Sequence, residues 1–538
     1  MKHASFSLTY RNLSDNVCLS SAGPRLALSA VPKVFRVAGF RYVFFLAGVL
    51  MCLTSIAGAQ NVTTWHNDNN RTGWQQTETV LNQTSVSQNT FGKIFQLNVQ
   101  GGVFAQPLAL GITGCSPACN MVFVATEQDM LYGFNADYTG TQAPTPLWAL
   151  DLAGAVGGTY LNCTNQLIPP CALGVLNPDI GVTGTPVIDT TTGLLYVVSL
   201  VYFAADATEE YYMLAVDYRT GEVKASTNIT PTSPGSAPSS ACSTSSASGS
   251  IGFDASGHYQ RAGLLLLNVA GVNEVFVAFA PAESEVENGW LLAYDYAAGP
   301  PGVLNLVSTF VTTPYGSGGG IWMGSAAPAS DGSFIYISTA NGTFDISGVS
   351  SPSIDYGDSL LKLNSTSLTV ADYFTPADVF TFVGVNGTGR CINDEDFGSG
   401  GVMIFPDSFF TGHPDLMVAA DKESTVYVVD RDHLTNHNSP NLIVQEVTTP
   451  QPVEPLQGYW GSPAYWEWNN NGPTIRALYY SVDATTDDKH IANAPKAMGM
   501  YALTNGAGGP VPNTPTYPTD TLFCGHGGRP PYLPAEQP

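Results

Sequence analysis

The stretch MLAVDYRTG, Met213 to Gly221, decides the fold. Its apolar start, its aspartate and its Arg-Thr-Gly ending describe a buried strand running into a tight turn. The pattern returns as LYGFN at Leu131 to Asn135, LLAYD at Leu291 to Asp295, LLKLN at Leu360 to Asn364, VYVVD at Val426 to Asp430 and MYALT at Met500 to Thr504. Successive copies lie 66 to 82 residues apart. Self-similarity at a long, roughly regular spacing marks a repeat architecture, in which each unit buries its apolar face against the next.

Each copy is embedded in three further strand-like segments. A short apolar run precedes it, rich in β-branched and aromatic residues and too short for a helix: MVFVAT at Met121, LLYVVS at Leu194, VFVAFA at Val275, FIYIST at Phe334, LMVAAD at Leu416 and ALYYSV at Ala477. Further upstream, a small residue and a proline open another strand in AQPLAL at Ala105, GTPVID at Gly184, AAPASD at Ala326 and GSPAYW at Gly461. Proline is tolerated at a strand's first residue, where no ladder donor is lost. A weaker strand follows the turn, as in PLWALDL at Pro146 and LIVQEV at Leu442. Four strands per unit make a blade, so an all-β fold is expected, a β-propeller with about six visible blades. The 55 glycines, 37 prolines and 12% charged residues suit short strands and tight turns.

Residues 1–59 read as an export signal with a long basic extension. Lys33, Arg36 and Arg41 precede an apolar run from Tyr42 to Leu53, and Ala57-Gly58-Ala59 supplies small residues before Gln60. The run is too short to favour a membrane span. An extracytoplasmic location, periplasmic or secreted, is therefore expected. Residues 1–59 hold six of the 19 basic residues and one of the 43 acidic ones, leaving a net charge of −29 on the remainder. Such a field repels phosphate backbones, which argues against nucleic acid as a partner. Cys115 with Cys119, and Cys163 with Cys171, bracket short turns and read as loop disulfides in an exported chain.

The motifs WHNDNNRTG at Trp65, IGVTGTPVID at Ile180, YGSGGGIW at Tyr315, DFGSGGVMIFPD at Asp396 and KESTVYVVDRD at Lys422 resemble those of exported bacterial PQQ-binding-like β-propeller repeat proteins. That resemblance covers roughly Val62 to Gly506 and implies kinship with quinoprotein alcohol dehydrogenase-like propellers, which have eight blades. It also implies PQQ beside an adjacent-cysteine disulfide, with calcium held by Glu, Asn and Asp. This chain has no adjacent cysteine pair and no clear match to the calcium set, so PQQ and Ca²⁺ rest on fold analogy alone. The propeller is expected over residues 60–509. Residues 510–538 read as an irregular tail, and the ring is expected to be incomplete at the C-terminus.

Loops entering the innermost strand of each blade lie on one rim, where Gln106, Asp179, Arg261, Trp322, Asp396 and Trp460 are candidate ligand-binding residues. Acids, an arginine and indoles suit a polar organic ligand. The glycine run Gly316 to Gly320 lacks the strand–loop–helix setting of a phosphate cradle and reads as a close-packed turn. Asp68, Asn70 and Thr72 alternate as in a calcium loop, but the acid expected to complete it is out of place, so a solvated turn is the expectation. No motif specifies a metal or a catalytic residue. The function expected is a scaffold for a protein or polar small molecule, with a PQQ- and calcium-dependent oxidoreductase as the alternative.

Overall fold

The structure is a computed structural model that describes residues 3–6 and 61–518, except for stretches of which the longest are 237–248, 377–395, 449–460 and 482–497. Six antiparallel blades, each built on four consecutive strands, follow one another along the described chain; Thr159–Asn162 and Asp179–Ile180 extend the sheet of blade 2, and His258–Tyr259 extends that of blade 3. Blade 1 is Leu108–Gly111, Asn120–Ala125, Met130–Asn135 and Trp148–Asp151. Blade 2 is Val187–Asp189, Leu194–Phe203, Thr208–Asp217 and Val223–Asn228, and blade 3 is Leu265–Val269, Val272–Pro281, Trp290–Ala297 and Val303–Val311. Blade 4 is Ala329–Ser330, Phe334–Ser338, Leu360–Asn364 and Val370–Phe374. Blade 5 is Met403–Ile404, Leu416–Ala420, Thr425–Asp430 and Ile443–Thr448, and blade 6 is Ala464–Asn469, Thr474–Ser481, Met498–Ala502 and Tyr517–Pro518. Each echo segment lies on, or begins within, the third strand of its blade. Strand pairing also runs past residue 509, because Gly499 and Met500 pair with Pro518 and Tyr517 to complete the sixth blade.

The end of the echo has a physical cause in three blades. Its last residue caps the turn to the fourth strand: the side chains of Asn135, Asp217 and Asp430 each accept from the backbone N–H two residues on, at 2.9 Å. Between echo positions three and four the pairing with the outer strand slips by one residue, at Ala215/Val216, Ala293/Tyr294, Lys362/Leu363 and Val428/Val429. A bulge repeated at one position increases twist at the same place in each of these blades.

Apolar clusters join each blade to the next. Leu108 and Phe123 meet Ile188 and Leu214; Tyr196 and Met213 meet Phe279 and Trp290; Phe276 and Leu291 meet Ile335 and Leu361. Tyr336 meets Met417 and Tyr427, and Val418 and Val428 meet Tyr465 and Leu478. Burying a side chain of this size contributes about 1.5 to 3 kcal/mol. The expected loop disulfides, Cys115–Cys119 and Cys163–Cys171, are both formed.

A segment outside the blades ties them together. Ala109, Ile188, Ser330, Ile404 and Tyr465 donate their backbone N–H groups to the carbonyls of Val62, Thr63, Asn69, Asn70 and Thr72, at 2.7–2.9 Å. The carbonyl of Leu266 accepts from the Asn69 side chain at 3.0 Å. All six acceptor or donor positions are the second residue of a blade's first strand. Residues 62–74 therefore form a hub on which six innermost strands converge. This corrects the expected solvated turn. Asp68 accepts from the N–H and hydroxyl of Thr72, and Arg71 and Thr72 are buried.

Candidate functional site

The rim loops precede the first strands and touch from blade to blade. In blade 1 the turn joining the second and third strands carries Glu127 and Asp129, closed by Thr126 N–H to Met130 O at 3.0 Å and Asp129 N–H to Thr126 O at 3.1 Å. Both side chains are fully buried. Glu127 Oε2 accepts from Gly181 N–H at 2.9 Å and Thr183 Oγ1 at 3.2 Å, while Oε1 is buried without a hydrogen-bond donor. Asp129 Oδ1 accepts from Ser199 Oγ at 2.6 Å, and Oδ2 is likewise without a donor. A side chain at Gly181 would overlap both the Asp129 carboxylate and the Glu127 carbonyl, so this crossing of blades 1 and 2 requires glycine.

Burial raises both acids. Glu127 is pushed up to about 7, opposed by its two hydrogen bonds and by the nearby Arg261 charge, and Asp129 stands well above the ordinary carboxylate range. Glu127 is thus poised to hold or release a proton near neutrality.

Arg261 and Trp322 come together. The guanidinium carbon lies 4.8 Å from the Trp322 ring centre and 5.1 Å from that of Tyr259, with the two rings 5.7 Å apart. Tyr259 is placed by the pairing of His258–Tyr259 with Ala280–Pro281, and Trp322 by Ile321 N–H to Phe279 O and Met323 N–H to Gly398 O. Asp179 is buried on the same side of blades 1 and 2, accepting from Gln128 Nε2 and Asn162 Nδ2, both at 2.7 Å. Its charge acts on Glu127, as does that of Arg261, so these three groups share one electrostatic neighbourhood.

Two of the remaining candidates make contacts within the fold. Gln106 serves the hub: its N–H donates to Thr185 Oγ1 at 2.9 Å, and its Oε1 accepts from His66 N–H at 3.2 Å. Asp396 locks blades 4 and 5, 2.5 Å from buried Lys422 and accepting from Ser399 Oγ and Asn341 N–H at 2.9 Å. Although burial opposes its charge, the Lys422 ammonium holds Asp396 below its ordinary value. Trp460 lies outside the described residues. The glycine run packs tightly as expected: Gly318 and Gly319 have positive φ, and a side chain at Gly318 would overlap Asn341 O. Glu127, Asp129 and Tyr259 were missed. The available signal was TEQDM, charge confined to a tight turn between two apolar strands.

No protein-family model matches the chain, and no curated protein matches it. Among solved structures it is similar to the quinohemoprotein alcohol dehydrogenase ADHIIG of Pseudomonas putida HK5, at 14% identity and a TM-score of 0.47, over 87% of this chain and 67% of that one. It is also similar to the Dos1 propeller, at 8% identity and a TM-score of 0.36, over 81% of each chain. At these scores the fold rests on the six sheets themselves. Among the described residues no three His, Cys, Asp or Glu side chains converge as metal ligands, and the sequence has no adjacent cysteines. The described residues do not form the calcium site, and the sequence lacks the adjacent cysteines, that the resemblance implies. No helix among the described residues is long and apolar enough to cross a membrane.

Proposed function

We propose that the chain is an exported β-propeller that binds a polar small molecule on the rim of blades 1 to 4. The observation that carries this reading is the Arg261 guanidinium held over Tyr259 and Trp322 within the field of Glu127. Half-buried Arg261 and Trp322 offer a cation and an aromatic face, and the cation lies within the field of buried Glu127. A ligand with an anionic or acceptor group beside a flat or apolar face satisfies both. Export is supported by the leader-like residues 1–59, the two disulfides and the acidic charge. Processing after Ala59 would remove the His3–Phe6 strand paired with Leu97–Gln100 and leave hub and blades whole.

The test is a calorimetric and thermal-shift screen of sugars, polyols, organic acids, and PQQ with Ca²⁺. A polar organic compound is expected to bind, with affinity falling at least tenfold in Arg261→Gln and Trp322→Ala. Binding that ignores both substitutions, or no binding at all, would refute the site. A stoichiometric PQQ chromophore with dye-linked alcohol oxidation would replace the scaffold by the oxidoreductase.

A further inference from the structure

We propose that Arg71, at the centre of the hub, holds a small monovalent anion of the halide class. Its side chain is 0% exposed. Nε donates to Pro328 O at 2.9 Å, and Nη1 faces Thr64 Oγ1 at 2.7 Å, Trp65 O at 3.1 Å and Asp68 O at 3.3 Å. Nη2 is buried and meets no acceptor. Neutral carbonyls and a hydroxyl disperse the charge of a guanidinium without cancelling it, and a buried charge without a counter-ion is strongly disfavoured.

Among the described residues, Asp68 is the carboxylate whose charge acts on Arg71, and it forms no ion pair with it. Asp68 is half-buried and turned to the N–H and hydroxyl of Thr72. His66, stacked on Trp65 with ring centres 3.4 Å apart, is held neutral at neutral pH by burial, so Arg71 is the fixed cation of the hub. An anion at Nη2 supplies the missing acceptor and the missing charge together. Charge selects its class: one fully buried guanidinium offsets a single negative charge, so a polyvalent anion at Nη2 would leave buried charge uncompensated. The net charge of −24 further disfavours polyvalent anions.

The experiment is thermal unfolding of the full chain in sodium chloride or bromide, with ionic strength held constant by sodium gluconate. A ligand that binds the folded state raises Tm with the logarithm of its concentration, here by about 1 to 2 °C per tenfold increase in halide. Arg71→Met is expected to abolish the dependence, and Asp68→Asn to retain it. Absence of halide dependence in the wild type, or its persistence in Arg71→Met, overturns the proposal. Should Arg71→Met fail to fold, bromide-soaked wild-type crystals decide: anomalous density beside Nη2 supports the site, and density confined to other places refutes it.

Discussion

At the residue scale the buried acids set a pH dependence whose sign follows from their shifts. Glu127 rises from 4.5 to about 7 and Asp355 from 3.8 to about 7, both chiefly through burial. An acid with a raised folded pKa favours folding at pH below its unfolded value and loses that advantage as pH rises through the folded one. His66 behaves oppositely: burial lowers it from 6.5 to about 4, so stability is lost as pH falls across that interval. Glu127→Gln should therefore raise Tm at pH 8, by an amount reflecting on the order of 3 kcal/mol, and leave it unchanged near pH 4. Chemical denaturation at the two pH values checks this, and an equal gain at both would contradict it. Arg261 was legible as a candidate because it stands alone as a cation before a blade's first strand. Its relation to Glu127 was not, because the two come from blades 1 and 3 and act on each other only through space.

At the element scale the blades show how local chemistry becomes repeated geometry. In blades 1, 2 and 5 the aspartate or asparagine closing the echo supplies a side-chain acceptor where the third strand turns. Asp217 accepts from both Arg219 and Thr220 N–H, so Asp217→Ala should cost about 1 kcal/mol, the scale of a lost cap, measured by urea unfolding. Gly133 is an exception within the echo, standing where the other copies carry Ala, Lys or Val. Its missing side chain leaves room for the Trp148 indole, whose Nε1 donates to Tyr218 O of blade 2 at 3.2 Å. Gly133→Ala should consequently lower stability by about 1 to 3 kcal/mol through overpacking, whereas Gly133→Ala combined with Trp148→Ala should show no further loss from the methyl group. The strand assignments were legible because a blade packed on both faces demands unbroken apolar runs. The first strands of blades 3 and 5 carry no proline opening, yet they form, because pairing with the neighbouring strand decides them.

At the scale of the whole molecule the hub controls cohesion. One segment engages the same register position in six blades, so deleting residues 62–74 removes bonds from every first strand at once. That deletion should convert cooperative unfolding into a broad, multi-step transition with faster amide exchange in the first strands, observable by hydrogen-exchange mass spectrometry; a sharp transition at unchanged Tm would refute the hub. The sequence by itself determined the repeat, the four strands of each blade, the capped turns and the local disulfides, since these depend on neighbours along the chain and on apolar burial common to all copies. Only the tertiary structure decided that NDNNRTG is a hub and not a solvated turn, that Gln106 bonds to the hub and Asp396 to Lys422, and that Arg261 and Asp179 act on Glu127 through space. Those outcomes depend on backbone groups every residue shares and on contacts between blades distant in sequence, and neither leaves a mark on residue type.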